Sequence, residues 1–95
     1  MKIYISGPMT GLRDLNLPAF EKARDRLLAQ GHCVVSPADL AQNEPQDSYV
    51  DYLRLDIKHL ITCNTIYMLI GWEQSIGAKL ELHIAQHLGF AVIYE

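Results

Sequence analysis

Apolar positions follow two spacings along the chain, and the two spacings alternate from one end to the other. Short β-rich or continuously apolar runs predict four strands, at residues 2–6, 32–36, 65–70 and 90–94. Between these runs, apolar residues recur every three or four positions, which predicts amphipathic helices. The predicted order is therefore strand and helix in alternation, with a strand at each end.

Residues that favour helix ends bound the first predicted helix. Asn16 is predicted to cap it, because a short polar side chain can accept a hydrogen bond from a free backbone amide. Phe20, Ala23 and Leu27 then share one face. Gly31 is predicted to end the helix, since glycine readily adopts the left-handed conformation of a C-terminal cap.

Each of the two later helices begins at a serine. The polar segment 37–47, with two prolines, is predicted to be a loop. Ser48 is predicted to cap the second helix, whose apolar face comprises Val50, Leu53, Ile57, Leu60 and Ile61. Ser75 is predicted to cap the third helix, which continues through Leu88 until Gly89 closes it. Its inward stripe is predicted to be Ile76, Leu80, Ile84 and Leu88.

This alternation predicts an α/β fold. Continuously apolar strands separated by amphipathic helices are typical of a parallel sheet with helices on both faces. Because such crossovers are right-handed, the best topology is a four-stranded sheet in the order 2-1-3-4. We expect residues 1–95 to form a single small flavodoxin-like (Rossmann-like) domain, as the length of 95 residues suggests.

Composition excludes several classes of function. No apolar run approaches the ~20 residues of a membrane-spanning helix, and the N-terminal segment lacks a secretory pattern. The net charge of -3, without a Lys/Arg cluster, argues against a nucleic-acid polymer as partner but leaves a single nucleoside or nucleotide open. Cys33 and Cys63 form no CxxC pair and are predicted to be reduced and buried, which favours a cytoplasmic location.

Glu81 stands at the inward margin of the third helix. Ligands of open α/β sheets bind beyond the carboxyl ends of the strands, where this helix begins. Gly77 precedes Glu81 by one turn and leaves space beside the carboxylate, whereas Leu82 and His83 are predicted to point elsewhere. Because a buried, unpaired carboxylate costs several kcal/mol, Glu81 should have a hydrogen-bonding partner or face a ligand. A snorkelling, purely structural glutamate stays open as an alternative.

Two residues are the predicted partners of Glu81. Tyr4, in the first strand, can donate a phenolic hydrogen bond that fixes the carboxylate, and Asp56 is a second acid on the inward margin of the second helix. A carboxylate held in this way suits attack on the anomeric carbon of a sugar through an oxocarbenium-like transition state. Acids on helix flanks are common, so a structural role for Asp56 also stays open.

Several segments together resemble the nucleoside 2-deoxyribosyltransferase superfamily, above all its small phage- and prophage-type members. They are YISGPMTG, N-x-x-x-F, Asp56 ahead of CNTIYMLIGWE, and S-x-G-A-x-x-E, and they span nearly the whole chain. The resemblance implies that Glu81 attacks C1′ of a nucleoside or nucleoside monophosphate, that Tyr4 orients it, and that Asp56 assists. Cleavage or transfer at the N-glycosidic bond would follow. Neither a cofactor nor a metal is expected.

The loops at the expected cleft supply the predicted substrate-binding residues. These are Gly7, Pro8, Met9, Thr10, Trp72, Ser75 and Gly77. Trp72 could stack on a base or cover the end of the sheet. Ser75 matches superfamily members that hydrolyse nucleoside monophosphates, which favours a nucleotide and hydrolysis. Larger relatives continue beyond the position of Glu95 and complete a neighbour's site, and the resemblance implies that this completion is missing here.

Partners and alternatives follow from the same features. A four-stranded sheet has two exposed edges, which predicts a homodimer or a larger homo-oligomer. The rival to an enzyme is a non-catalytic module that binds a nucleotide or a similar metabolite in the same cleft. Neither reading requires a membrane.

Overall fold

A four-stranded parallel sheet lies at the centre of the computed structural model, which describes residues 1–9 and 13–95. Its strands are β1 (Lys2–Ser6), β2 (Cys33–Val35), β3 (Thr65–Met68) and β4 (Ala91–Tyr94). They lie in the order β2-β1-β3-β4, and every neighbouring pair is parallel. The predicted fold class and strand order are therefore confirmed.

In the part of the chain that the structure describes, four α-helices cover the sheet. They are α1 (Leu17–Ala29), α2 (Pro37–Asn43), α3 (Tyr49–Leu60) and α4 (Ile76–His87), with short 3-10 turns at Arg13–Asn16 and Trp72–Gln74. Each helix of the described residues is too short or too polar to cross a bilayer.

Alternation along β1 divides the core into two layers. Ile3 and Ile5 pack with α1 residues in one buried cluster, whereas Tyr4 packs with α3 and α4 residues in the other. Because successive side chains of a strand point to opposite faces, β1 serves both layers. The sheet thus has helices on both faces, as predicted.

The helix ends mostly match the sequence. The Ser48 and Ser75 hydroxyls accept hydrogen bonds from the amides of Asp51 and Ala78, each at 3.1 Å, so both predicted caps are confirmed. Asn16 does precede α1, but its side chain donates to the Pro8 carbonyl at 2.9 Å instead of capping the helix. The side-chain cap predicted there is wrong.

The segment 37–47 contains α2, so the loop predicted there is wrong. Pro37 occupies the first turn of the helix, where its fixed φ suits the helix and its missing N–H has no intrahelical partner to lose. The proline therefore starts a helix here instead of interrupting one. Pro37 and Ala38 are both buried.

The inward stripe predicted for α4 is also wrong. Ile76 is 78% exposed and Leu88 is 53% exposed. The buried residues are instead Ala78, Glu81, Leu82 and Ala85. They follow the i, i+3, i+4, i+7 spacing of a helix face, and the two alanines let the helix backbone approach the sheet closely. Leu82 therefore points inward, against expectation.

Two further expectations of burial fail. On α3 the buried residues are Leu55 and Leu60, whereas Val50, from the predicted apolar face, is 57% exposed. Cys63 is buried as predicted, but Cys33 is exposed because it lies on the edge strand β2. Both thiols are free.

Gly7, which directly follows β1, lies against the core. A Cβ atom at this position would lie 2.7 Å from Cβ of Leu69, which follows β3. We expect Gly7→Ala to lower the free energy of unfolding by about 1–3 kcal/mol, because the core must shift to admit the methyl group. Urea denaturation measures the change.

Gly77→Ala is the matched control. The added Cβ would lie 3.6 Å from the Tyr49 hydroxyl, which is an ordinary contact, and alanine is the better helix former by up to ~1 kcal/mol. Its stability should equal or exceed that of the wild type. Equal stabilities for the wild type and Gly7→Ala would contradict the packing constraint.

Candidate active site

A cavity of about 700 Å³ opens beyond the carboxyl end of β1. It lies among residues 7–9, α2, α3 and the start of α4. This is the edge of a parallel sheet at which ligands of α/β folds bind. The residues that line it are Gly7, Pro8, Met9, Leu15, Pro37, Ala41, Tyr49, Tyr52, Leu53, Asp56, Gln74, Ser75, Ile76, Gly77, Ala78 and Glu81. A smaller depression, beside Leu17 and Glu21, is lined by neither Asp56 nor Glu81.

Glu81 lies in the wall of this cavity and is only 5% exposed. Its Oε2 accepts a hydrogen bond from the Tyr4 hydroxyl at 2.6 Å, and its Oε1 accepts one from the Ser6 hydroxyl at 2.7 Å. Such short distances are typical of hydroxyl donors to an ionised carboxylate. Each oxygen of Glu81 thus has one fully buried donor.

Local sequence explains why these groups meet. Tyr4 and Ser6 are two residues apart on β1, so their side chains point to the same face of the sheet. Glu81 lies on the face of α4 that packs on that side, between the small residues Ala78 and Ala85. Close approach of the helix brings the carboxylate within reach of both hydroxyls.

Burial and hydrogen bonding act in opposite directions on Glu81. Burial raises the pKa of its carboxyl above the ordinary value, while the hydrogen bonds from Tyr4 and Ser6 lower it. The pKa of the Tyr4 phenol lies well above its ordinary value, first because of burial and then because of the neighbouring Glu81 and Asp56. Tyr4 therefore keeps its proton and remains a donor.

Asp56 contributes a second carboxyl group to the same cavity from α3. Burial, followed by the charge of Glu81, raises the pKa of Asp56 from its ordinary value of 3.8 to about 7. Near neutral pH the protonated form of Asp56 is therefore well populated. Pairs of carboxyl groups whose environments separate their pKa values are typical of acid–base sites.

The structure brings together most of the residues singled out in the sequence. Glu81 and Asp56 line the cavity, and so do the predicted binding residues Gly7, Pro8, Met9, Ser75 and Gly77. Tyr4 lies directly behind Glu81. Thr10 lies outside the described residues.

Three predicted binding residues have a structural explanation. Trp72 lies outside the lining and packs near Tyr94, with ring centroids 5.9 Å apart, so of its two predicted uses the structure favours covering the sheet end. Gly7 lacks a side chain because Leu69 leaves no room for one. The hydroxyl oxygen of Ser75 already caps α4, although its proton is available to a ligand.

Sequence reasoning missed Ser6 and Gln74. The signal for Ser6 was its spacing of two from Tyr4 on a strand, which places both on one face. Tyr49 and Tyr52 add two phenols to the cavity wall. Among the described lining residues there is no lysine, arginine or histidine, and the side chains that the structure describes include no cluster of three suited to a metal.

The chain belongs to the family described as "Domain of unknown function (DUF4406)", whose profile matches residues 1–94. Among solved structures, it is similar to the 2-deoxyribosyltransferase of the psychrotolerant bacterium Bacillus psychrosaccharolyticus, with a TM-score of 0.78 and 24% identity over 99% of this chain and 71% of that one. The two share a fold, so the resemblance to the deoxyribosyltransferase superfamily is confirmed at that level. No curated protein matches the sequence.

The raised pKa of Asp56 makes stability depend on pH. Between about pH 4 and pH 7 the folded protein binds a proton that the unfolded chain releases, so the free energy of unfolding should fall as pH rises. We expect Asp56→Asn to reduce this fall in the free energy of unfolding by roughly 2–4 kcal/mol. The reduction is smaller than ~1.4 kcal/mol for each unit of the pKa shift, because Asp56 is only partly buried. Urea denaturation at several pH values measures it.

Asp47→Asn is the control, because Asp47 is exposed and outside the cavity lining. It should leave the pH dependence of the wild type unchanged. If the free energy of unfolding of Asp56→Asn falls with rising pH as steeply as that of the wild type, Asp56 does not carry the proton.

Proposed function

We propose that this protein cleaves or transfers at the N-glycosidic bond of a (deoxy)nucleoside or nucleoside monophosphate, through a covalent glycosyl-Glu81 intermediate. The observation that supports this most is the Glu81 carboxylate, fixed by two hydroxyls at the wall of a cavity that also contains Asp56. The fold shared with a 2-deoxyribosyltransferase supports sugar transfer as the class of reaction.

In the proposed first step, a Glu81 oxygen attacks C1′ of the sugar. The bond between C1′ and the base nitrogen breaks, and its electron pair leaves with the base. The protonated form of Asp56, which is well populated near neutral pH, gives its proton to the departing base. The negative charge of Glu81 stabilises the oxocarbenium-like transition state before the covalent bond closes.

In the second step, the nitrogen of another base or a water molecule attacks C1′ and displaces Glu81. Asp56, now ionised, accepts the proton that the attacking group releases. Both acids return to their starting protonation states, so the cycle needs no cofactor. The attacking group decides between transfer and hydrolysis.

The walls of the cavity suit a nucleoside. Tyr49 and Tyr52 offer aromatic faces for a base, and stacking of this kind contributes about 1–3 kcal/mol per base. Gly77, one turn before Glu81, leaves room beside the carboxylate. Asp56 lines the same cavity from α3, and in the proposed arrangement its proton goes to the base.

Two features of the cavity favour different charges on the substrate. The start of α4 at Ser75 and Ile76 lines the cavity, and the amides of a helix N-terminus favour an anion. The described lining nevertheless carries two acids and no basic side chain, which favours an uncharged nucleoside. Both substrate classes therefore belong in the assay.

Assembly and location form part of the proposal. Exposed apolar side chains on α4, including Ile76 and Leu80, offer a surface that a second copy could cover. We propose a cytoplasmic homodimer or larger homo-oligomer in which residues 1–95 act as one domain. A partner on this surface would also border the cavity, because Ile76 belongs to its lining.

The test is release of free base from a panel of deoxynucleosides and their monophosphates, followed by chromatography. Glu81→Gln preserves the size of the side chain but removes the nucleophile, so we expect turnover to fall by at least about 10³-fold. Glu73→Gln is the control, since Glu73 is exposed and outside the lining.

The outcomes separate the enzyme from the binding module. Base release by the wild type and Glu73→Gln, but not by Glu81→Gln, supports the proposal. Equal turnover by Glu81→Gln would refute the role of Glu81. A ligand-dependent rise in melting temperature without base release from any substrate would favour the non-catalytic module.

A further inference from the structure

We propose that Ser6 is a positioning residue which, together with Tyr4, keeps Glu81 ionised and leaves Asp56 as the protonated acid of the pair. The catalytic value of this arrangement rests on the proposed function. The arrangement itself is a property of the resting protein and can be measured without a substrate.

The hydrogen bonds around Glu81 are the first support. Tyr4 donates to one oxygen of the carboxylate and Ser6 donates to the other, at 2.6 Å and 2.7 Å. A hydroxyl has a single proton to donate, so both donors are committed to Glu81. A proton on Glu81 would replace one of these bonds and require the hydroxyl to turn around as an acceptor.

Burial makes that rearrangement costly. Tyr4 and Ser6 are both fully buried, and Glu81 is nearly so. A buried hydroxyl that loses its acceptor has no water to replace it, so its desolvation is no longer compensated. The ionised form of Glu81 satisfies all three groups at once, and the protonated form does not.

Among the side chains that the structure describes, none with a positive charge accounts for an ionised Glu81. The titratable groups that face Glu81 or its partner Tyr4 are Asp56, Tyr49, Tyr52 and Cys63. None of these groups carries a positive charge in either protonation state. On α4 itself, Lys79 is exposed to solvent. Within the described part of the site, the two hydroxyls of β1 are therefore what distinguishes Glu81 from Asp56.

Catalysis would depend on which acid holds the proton. Two carboxyl groups with one proton have two arrangements, and the proposed reaction uses only the one with an ionised Glu81 and a protonated Asp56. Ser6 would act through Glu81 without touching the substrate. Its loss should reduce the population of the productive arrangement without changing the binding surface of the cavity.

The direct test is carboxyl titration by NMR of protein labelled with ¹³C at the side-chain carboxyls of Asp and Glu. In the wild type, we expect Glu81 to titrate at a lower pH than Asp56. In Ser6→Ala, the midpoint of Glu81 should rise by about one to two pH units, the size expected for one lost bond to a charged group. The midpoint of Asp56 should fall, because a less charged Glu81 repels it less.

Ser6→Thr is the conservative rescue, because it retains the hydroxyl at the same position. Its two midpoints should stay within about half a unit of the wild-type values, since the donor to Glu81 remains. Melting temperatures of both variants establish that each is folded. A wild type in which Asp56 titrates first, or a Ser6→Ala variant with an unchanged Glu81 midpoint, would overturn the proposal.

Kinetics on any substrate found in the panel give the second readout. We expect Ser6→Ala to lower kcat by about 10-fold or more with KM within about twofold, and to shift the acidic limb of the pH–rate profile upward, because more of Glu81 is protonated. A shifted titration without turnover of any substrate would support the role of Ser6 and count against the proposed function alone. A rise in KM with kcat unchanged would contradict a positioning role.

Discussion

The structure depends on one buried carboxylate at the contact between α4 and β1. A carboxylate excluded from water costs several kcal/mol unless its oxygens have partners, and the Tyr4 and Ser6 hydroxyls supply one for each oxygen of Glu81. This requirement also fixes the rotation of α4 on the sheet, because the face that presents Glu81 presents Ala78 and Ala85 to the core. Ile76 and Leu80 of the same helix are consequently left exposed.

The same contact sets the chemistry of the cavity. Burial raises the pKa of both acids; the two hydroxyl donors oppose this rise at Glu81, whereas at Asp56 the pKa reaches about 7. A negative, fixed oxygen pair next to a proton donor is what substitution at an anomeric carbon requires. In the proposed reaction, packing and reactivity share a cause, since the helix orientation that buries Glu81 also places it in the cavity wall.

The fold could be predicted from sequence because strand and helix periodicities report directly on which residues are buried. The rotation of α4 could not, since Ile76 and Leu80 outweigh the alanines in any hydrophobic pattern, whereas close helix packing favours the alanines. α2 was missed because proline signals a turn as readily as a first helical turn. Tyr4, Asp56 and Glu81 were found by their unusual placement, but Ser6 was not, because a serine at a strand end suggests no particular chemistry.

The most direct test of the central claim is mass spectrometry of peptides from a reaction quenched with acid during turnover of a deoxynucleoside. If Glu81 is the nucleophile, a deoxyribosyl group should be found on the peptide that contains Glu81, and fragmentation should locate it at that residue. Base release accompanied by an unmodified Glu81 peptide, or by an adduct at another residue, would contradict the account.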